Sequence, residues 1–116
     1  MSTWGADLFD EDVALDTRDM FREAVEAGLD PRRAAAQVLG DWGEAAEEPD
    51  DGPVIRLALA VLLLDAGVRA HPILDEAREV LRAGAGLERW AEGGEAVLKE
   101  RRAVYDQLAA RLDAAG

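Results

Sequence analysis

The chain of 116 residues has the length of one domain and carries 25 acidic against 13 basic residues, a formal net charge of −12. With 49% hydrophobic and 33% charged residues it has enough apolar material for a core and lies outside the profile of a disordered chain. A field of that sign repels nucleic acid and anionic membrane surfaces, and the absence of cysteine excludes disulfides, thiolate metal sites and a cysteine nucleophile.

The opening holds acids rather than the basic and apolar regions of a signal peptide, so a cytoplasmic protein is expected. Asparagine is missing and Lys99 is the sole lysine. With so much alanine and glycine, this usage reads as that of a GC-rich, bacterial genome. Strand signals are nearly absent: no period-two alternation stands out, and Asp51-Gly52 is followed by Pro53, which suits a helix start better than a hairpin.

After an N-terminal arm (residues 1–10), the first helix is expected from about Glu11 to Ala27, capped by Asp10 or Asp12. Val13, Thr17, Met20, Phe21, Ala24 and Val25 make one stripe at helical spacing, and Gly28 is a stop. Asp30-Pro31 opens the second helix, with aspartate as cap and proline where its missing N–H costs nothing. Ala35, Val38, Leu39 and Trp42 give that helix its seam, and Gly40 and Gly43 weaken its end. The acid-rich stretch that follows (residues 44–52) reads as a solvated loop.

Pro53 then begins a third helix, to about residue 66, in which Arg56 is the only charge between Val54 and Leu64. A helix apolar on all sides must be surrounded by others, so it belongs at the centre. It is too short to span a bilayer, which needs about 20 apolar residues. His71-Pro72 opens the fourth helix, with Ile73, Leu74, Ala77, Val80 and Leu81 inward and Gly84 at its close. A short turn around Leu87 and Trp90 is expected between Gly86 and Gly94. The last helix starts at about Glu95, reaches Ala110 or beyond, and is lined by Val97, Leu98, Val104, Tyr105, Leu108 and Leu112, with a Glu95–Lys99 pair on its surface. The expectation is an all-α single domain over residues 1–116, a compact bundle of five to six helices around the central apolar helix.

Residues able to carry chemistry are few. Asp7, Asp10, Asp12 and Asp16 could gather a divalent cation, but a calcium loop counted from Asp10 needs glycine where Leu15 stands. These acids are better read as capping the first helix while Trp4 and Phe9 pin the arm. His71 is the only imidazole, and Ser2, Thr3, Thr17 and Tyr105 are the only hydroxyls, so a serine-type relay or a zinc site has little to draw on. The single histidine suits a helix cap better. No phosphate loop, cofactor motif or metal motif is present, and no cofactor is expected. Glu44, Glu47, Glu48, Asp50 and Asp51 form either a stretch kept open by self-repulsion or a negative patch for a basic partner. Trp42 and Trp90 are either core residues or interface anchors.

Trp4-Gly5, three residues, Phe9-Asp10, then Asp12, Ala14 and Asp16 resembles the opening of a family of small acidic bacterial proteins of unknown function. The likeness continues through Arg18-Asp19, Gly28-Leu29, Asp51-Gly52-Pro53-Val54 and Leu87-Glu88-Arg89-Trp90 with Gly94 and Glu95. It departs at Leu63-Leu64-Asp65. The resemblance assigns no catalytic residue; proteins of this general kind include immunity proteins of bacterial conflict systems, which is analogy rather than site chemistry.

Function is therefore expected to be non-catalytic binding of a basic partner protein, of the immunity or inhibitor kind, through Glu44, Glu47, Glu48, Asp50 and Asp51 with Trp42 and Trp90. Nucleic acid and membranes are not expected partners. Two rivals stand beside it: a metal or small-ligand protein or hydrolase using clustered carboxylates, and a structural subunit or homo-oligomer.

Overall fold

A computed structural model of the chain describes residues 12–49, 51–84 and 94–115. Among these residues there are five α-helices and no strand: α1 (Asp12–Glu26), α2 (Pro31–Trp42), α3 (Asp51–Asp65), α4 (Pro72–Ala83) and α5 (Glu95–Ala115). A 3₁₀ turn (Gly43–Glu47) joins α2 towards α3. The architecture is the expected all-α bundle. No described helix is long and apolar enough to cross a membrane.

The bundle is organised around α3, where eleven residues from Gly52 to Leu64 are buried. An apolar rod of this kind has no face fit for water, and it packs against α1, α2, the 3₁₀ turn, α4 and α5. Each surrounding helix gives α3 one stripe. On α1 the buried residues are Ala14, Thr17, Phe21 and Ala24, spaced by three and four, with Val13 and Met20 partly covered. Val25, expected in that stripe, is instead exposed, because it lies one position past Ala24 and so about 100° round the helix. Ala34, Ala35 and Val38 line α2, Ile73, Leu74 and Ala77 line α4, and Val104, Tyr105, Leu108 and Leu112 line α5.

The helix boundaries follow from local chemistry. Asp30 caps α2 by accepting a hydrogen bond from the backbone N–H of Arg33 at 3.0 Å. His71 caps α4, its Nδ1 accepting from the N–H of Ile73 at 3.1 Å, with Pro72 at the first helical position. At the end of α3 the chain turns through Gly67 (φ 86°), with Gly67 N–H donating to Leu64 and Val68 N–H to Leu63. Buried Val68 then packs back on the core, as this kind of C-terminal motif favours.

Two boundaries differ from expectation. The stretch expected as an open acidic loop is a 3₁₀ turn with Ala46 buried in the core, and α3 begins at Asp51 rather than Pro53. Gly52 N–H donates to the Glu48 carbonyl at 2.8 Å, so the turn feeds directly into the helix. Pro53 sits in the first turn, where a backbone N–H has no intrahelical acceptor and its lack is harmless. Gly52 is required by space: a Cβ there would lie 2.5 Å from the Ala46 carbonyl oxygen. Gly52→Ala should therefore cost about 1–3 kcal/mol in urea unfolding, since the clash is with backbone that cannot swing aside. His71→Ala should cost about 1 kcal/mol in the same assay, and His71→Asn, which supplies another cap acceptor, should keep most of that stability.

Candidate acidic interface

Arg56, the single charge of the apolar rod, has a side chain only 15% exposed. A cation held so far from water must be hydrogen-bonded on several sides. Its Nη1 donates to the carbonyl of Ala46 and, at 3.4 Å, to that of Gly52. Its Nε donates to Glu76 Oε1 of α4 at 3.1 Å, and Nη2 lies 3.7 Å from Glu47 Oε1. One planar side chain thus joins the 3₁₀ turn, the first turn of α3 and the middle of α4. The Glu47 contact contributes little by itself, because that carboxylate is 81% exposed and screened by water. The weight falls on the Ala46 carbonyl and on Glu76.

A second clasp holds the other end of the same segment. Trp42 Nε1 donates to Thr17 Oγ1 at 3.1 Å, and the Thr17 hydroxyl donates to the Val13 carbonyl at 2.7 Å. Thr17 is the one fully buried polar residue of the described core, and both of its hydrogen-bonding roles are filled. Trp42 is half-buried and packed on the core. In this placement Trp42 fastens α2 to α1.

Between these clasps stand the acids. Asp41, Glu44, Glu47 and Glu48 are exposed and Asp51 is half-buried. From Asp41 to Ile55 the sequence holds six acidic residues and no basic one. Charge is also uneven along the chain: residues 1–64 carry 15 acids against five bases, residues 65–116 ten against eight. The four bases of the first part besides Arg56 lie on α1 and α2, where Arg18 is paired with Asp19 and Arg33 with Asp30. Glu47 lies against Arg56, and the exposed carboxylates of Asp41, Glu44 and Glu48 add a negative field beside a turn tied down by both clasps.

The structure brings together Trp42, Glu44, Glu47, Glu48 and Asp51 on this one stretch. Asp50 and Trp90, also expected at a partner surface, lie outside the described residues, as do Trp4, Asp7, Phe9, Asp10, Glu11 and Leu87. Val97 is in α5, but its side chain is outside the description. Asp12 and Asp16 are both exposed on the first turns of α1. Among the described residues no group of three or more histidine, aspartate or glutamate side chains is arranged to hold a metal ion. Two surface grooves, one of about 240 Å³ between α4 and α5 and one of about 250 Å³ by the α3–α4 turn, fall below the usual range of roughly 300–1,000 Å³ for small-molecule pockets.

What the sequence reading missed at this surface is the role of Arg56. The signal was present: one arginine in a run of apolar residues must find acceptors inside the fold. Its partners lie ten and twenty residues away, and nothing in the local pattern names them.

No family model, curated protein or solved structure matches the chain.

Arg56→Met keeps the apolar stem but leaves the Ala46 carbonyl without its donor, and should lower stability by about 1–3 kcal/mol. Hydrogen exchange of residues 43–52 should rise more than that of α5. A double-mutant cycle with Glu76→Gln should give a coupling of about 0.5–3 kcal/mol, where independent residues would give none.

Proposed function

We propose that this chain is a non-catalytic interaction module whose acidic segment, Asp41–Asp51, docks a basic partner protein, in the manner of an immunity protein or inhibitor. The observation that carries this reading is the set of exposed carboxylates of Asp41, Glu44, Glu47 and Glu48 on a turn tied to the core by the Arg56–Ala46 and Trp42–Thr17 hydrogen bonds. Charge of one sign concentrated on one part of a surface steers a partner of opposite sign and raises its association rate. A backbone already ordered before encounter loses little conformational freedom on binding, which favours affinity. The resemblance of the opening residues to a family of small acidic bacterial proteins is compatible with this reading and adds no site to it.

The wild-type chain and a triple variant, Glu44→Gln/Glu47→Gln/Glu48→Gln, are used as bait for affinity capture from the native cell with mass spectrometry. The expected result is a basic protein retained by the wild type and depleted with the variant. With that partner purified, neutralising the three carboxylates should lower the association rate by about tenfold at low salt and change the dissociation rate much less. An association rate insensitive to both ionic strength and the triple substitution would refute electrostatic docking through this segment.

A further inference from the structure

The groove between α4 and α5 differs from the rest of the surface in how its charge is arranged. Its α4 wall presents Arg78 and Arg82, its α5 wall Asp106 and Asp113, and its floor Leu81 and Tyr105. Arg78 donates to the Leu112 carbonyl at 2.9 Å, so Arg78 stands across from the end of α5 that bears Asp113. Arg82, one turn further along α4, then stands towards Asp106. Among the described residues neither aspartate has an ion pair, and none crosses the groove. The arginines are instead paired along their own helix, Arg78 with Asp75 and Arg82 with Glu79. Those i,i+3 pairs are exposed and easily exchanged.

We propose that this groove is the contact between two copies of the chain. A two-fold axis running along the groove lays the α4 wall of each copy on the α5 wall of the other. Arg82 then meets the other copy's aspartate wall, and the aspartates of the first copy meet its arginines. A surface with cations on one side and anions on the other is self-complementary under that operation, as an isologous contact requires. The location suits the charge distribution as well. Two copies of a −12 chain repel, and they repel least where the charge is nearly balanced, in residues 65–116 with ten acids against eight bases. The groove is small for a ligand, but partly buried Leu81, above core residue Tyr105, offers apolar surface to a facing helix. This contact leaves the segment 41–51 to a different partner and does not depend on the function proposed for it.

Sedimentation velocity of the full chain over a wide concentration range, with Arg82→Glu and Asp106→Arg, tests the contact. Arg82 is 73% exposed, and both reversals sit on the surface, with circular dichroism as the control for folding. The wild type should self-associate to a dimer. Each single reversal should raise the dimer dissociation constant by about tenfold or more, because two like-charge contacts form at once. An equimolar mixture of the two variants should regain a dimer of wild-type strength, since each copy's reversed charge then meets its complement in the other. Arg82→Ala and Asp106→Ala, which remove charge without adding repulsion, should weaken the dimer by smaller steps. A wild type that stays monomeric throughout, a dimer unmoved by both reversals, or a mixture that fails to recover would each overturn the proposal.

Discussion

The arrangement of this protein depends on one cation inside an apolar helix. α3 can lie at the centre because almost every residue from Val54 to Leu64 tolerates the absence of water, and Arg56 is the exception. A guanidinium in that position must be met by oxygen atoms, and the chain brings them from three places: the 3₁₀ turn, the first turn of α3 and α4. Because the acceptors come from separate segments, satisfying the charge also fixes how those segments sit together. Gly52 is tied to the same constraint, since only a residue without Cβ lets the Ala46 carbonyl approach the helix closely enough for Arg56 to reach it. A buried ion pair is weak grounds for stability on its own, because desolvation offsets much of the attraction. Here the arginine is better understood as setting which packing forms: a methionine of similar length would suit the core but would leave the Ala46 carbonyl without its donor.

Much of the fold was legible because its determinants are local. Asp30-Pro31 and His71-Pro72 mark helix starts through groups two or three residues apart, and both caps form as expected. The central position of α3 follows from composition alone, since Val54–Leu64 has no polar face to offer solvent. Where expectation and structure part, the reason is contact between distant residues. Five acids among the eight residues from Glu44 to Asp51 suggest a self-repelling loop, yet Ala46 buried beneath them and the Arg56 contact outweigh that repulsion. Val25 was grouped with Ala24 as part of one stripe, but the stripe on α1 is narrow, and Val25, one position past Ala24, falls outside it.

The acidic surface was legible as composition and not as shape. Sequence places the carboxylates next to one another; only the fold decides whether they share a rigid backbone. The clasps at Trp42 and Arg56 supply that rigidity, and neither would be found by counting charges. Trp42 was open to two roles because an indole is both a good core residue and a good interface anchor. Its bond to Thr17 gives the buried hydroxyl on the apolar face of α1 an indole N–H partner, a contact between residues 25 apart that no local pattern names.

The side chains most able to act on a substrate are few, and the two whose placement is described in detail are engaged in holding the fold. The Thr17 hydroxyl donates to Val13 and accepts from Trp42 inside the core. The Nδ1 of His71 accepts from Ile73 as a cap, so a histidine relay through that nitrogen would have to break the start of α4. Acids remain, in abundance and on the surface. An exposed carboxylate acts on the approach of a charged macromolecule through its field, without needing an enclosed site. The partner proposed above, a positively charged protein, would meet exposed carboxylates beside a turn that Arg56 ties to α3 and α4.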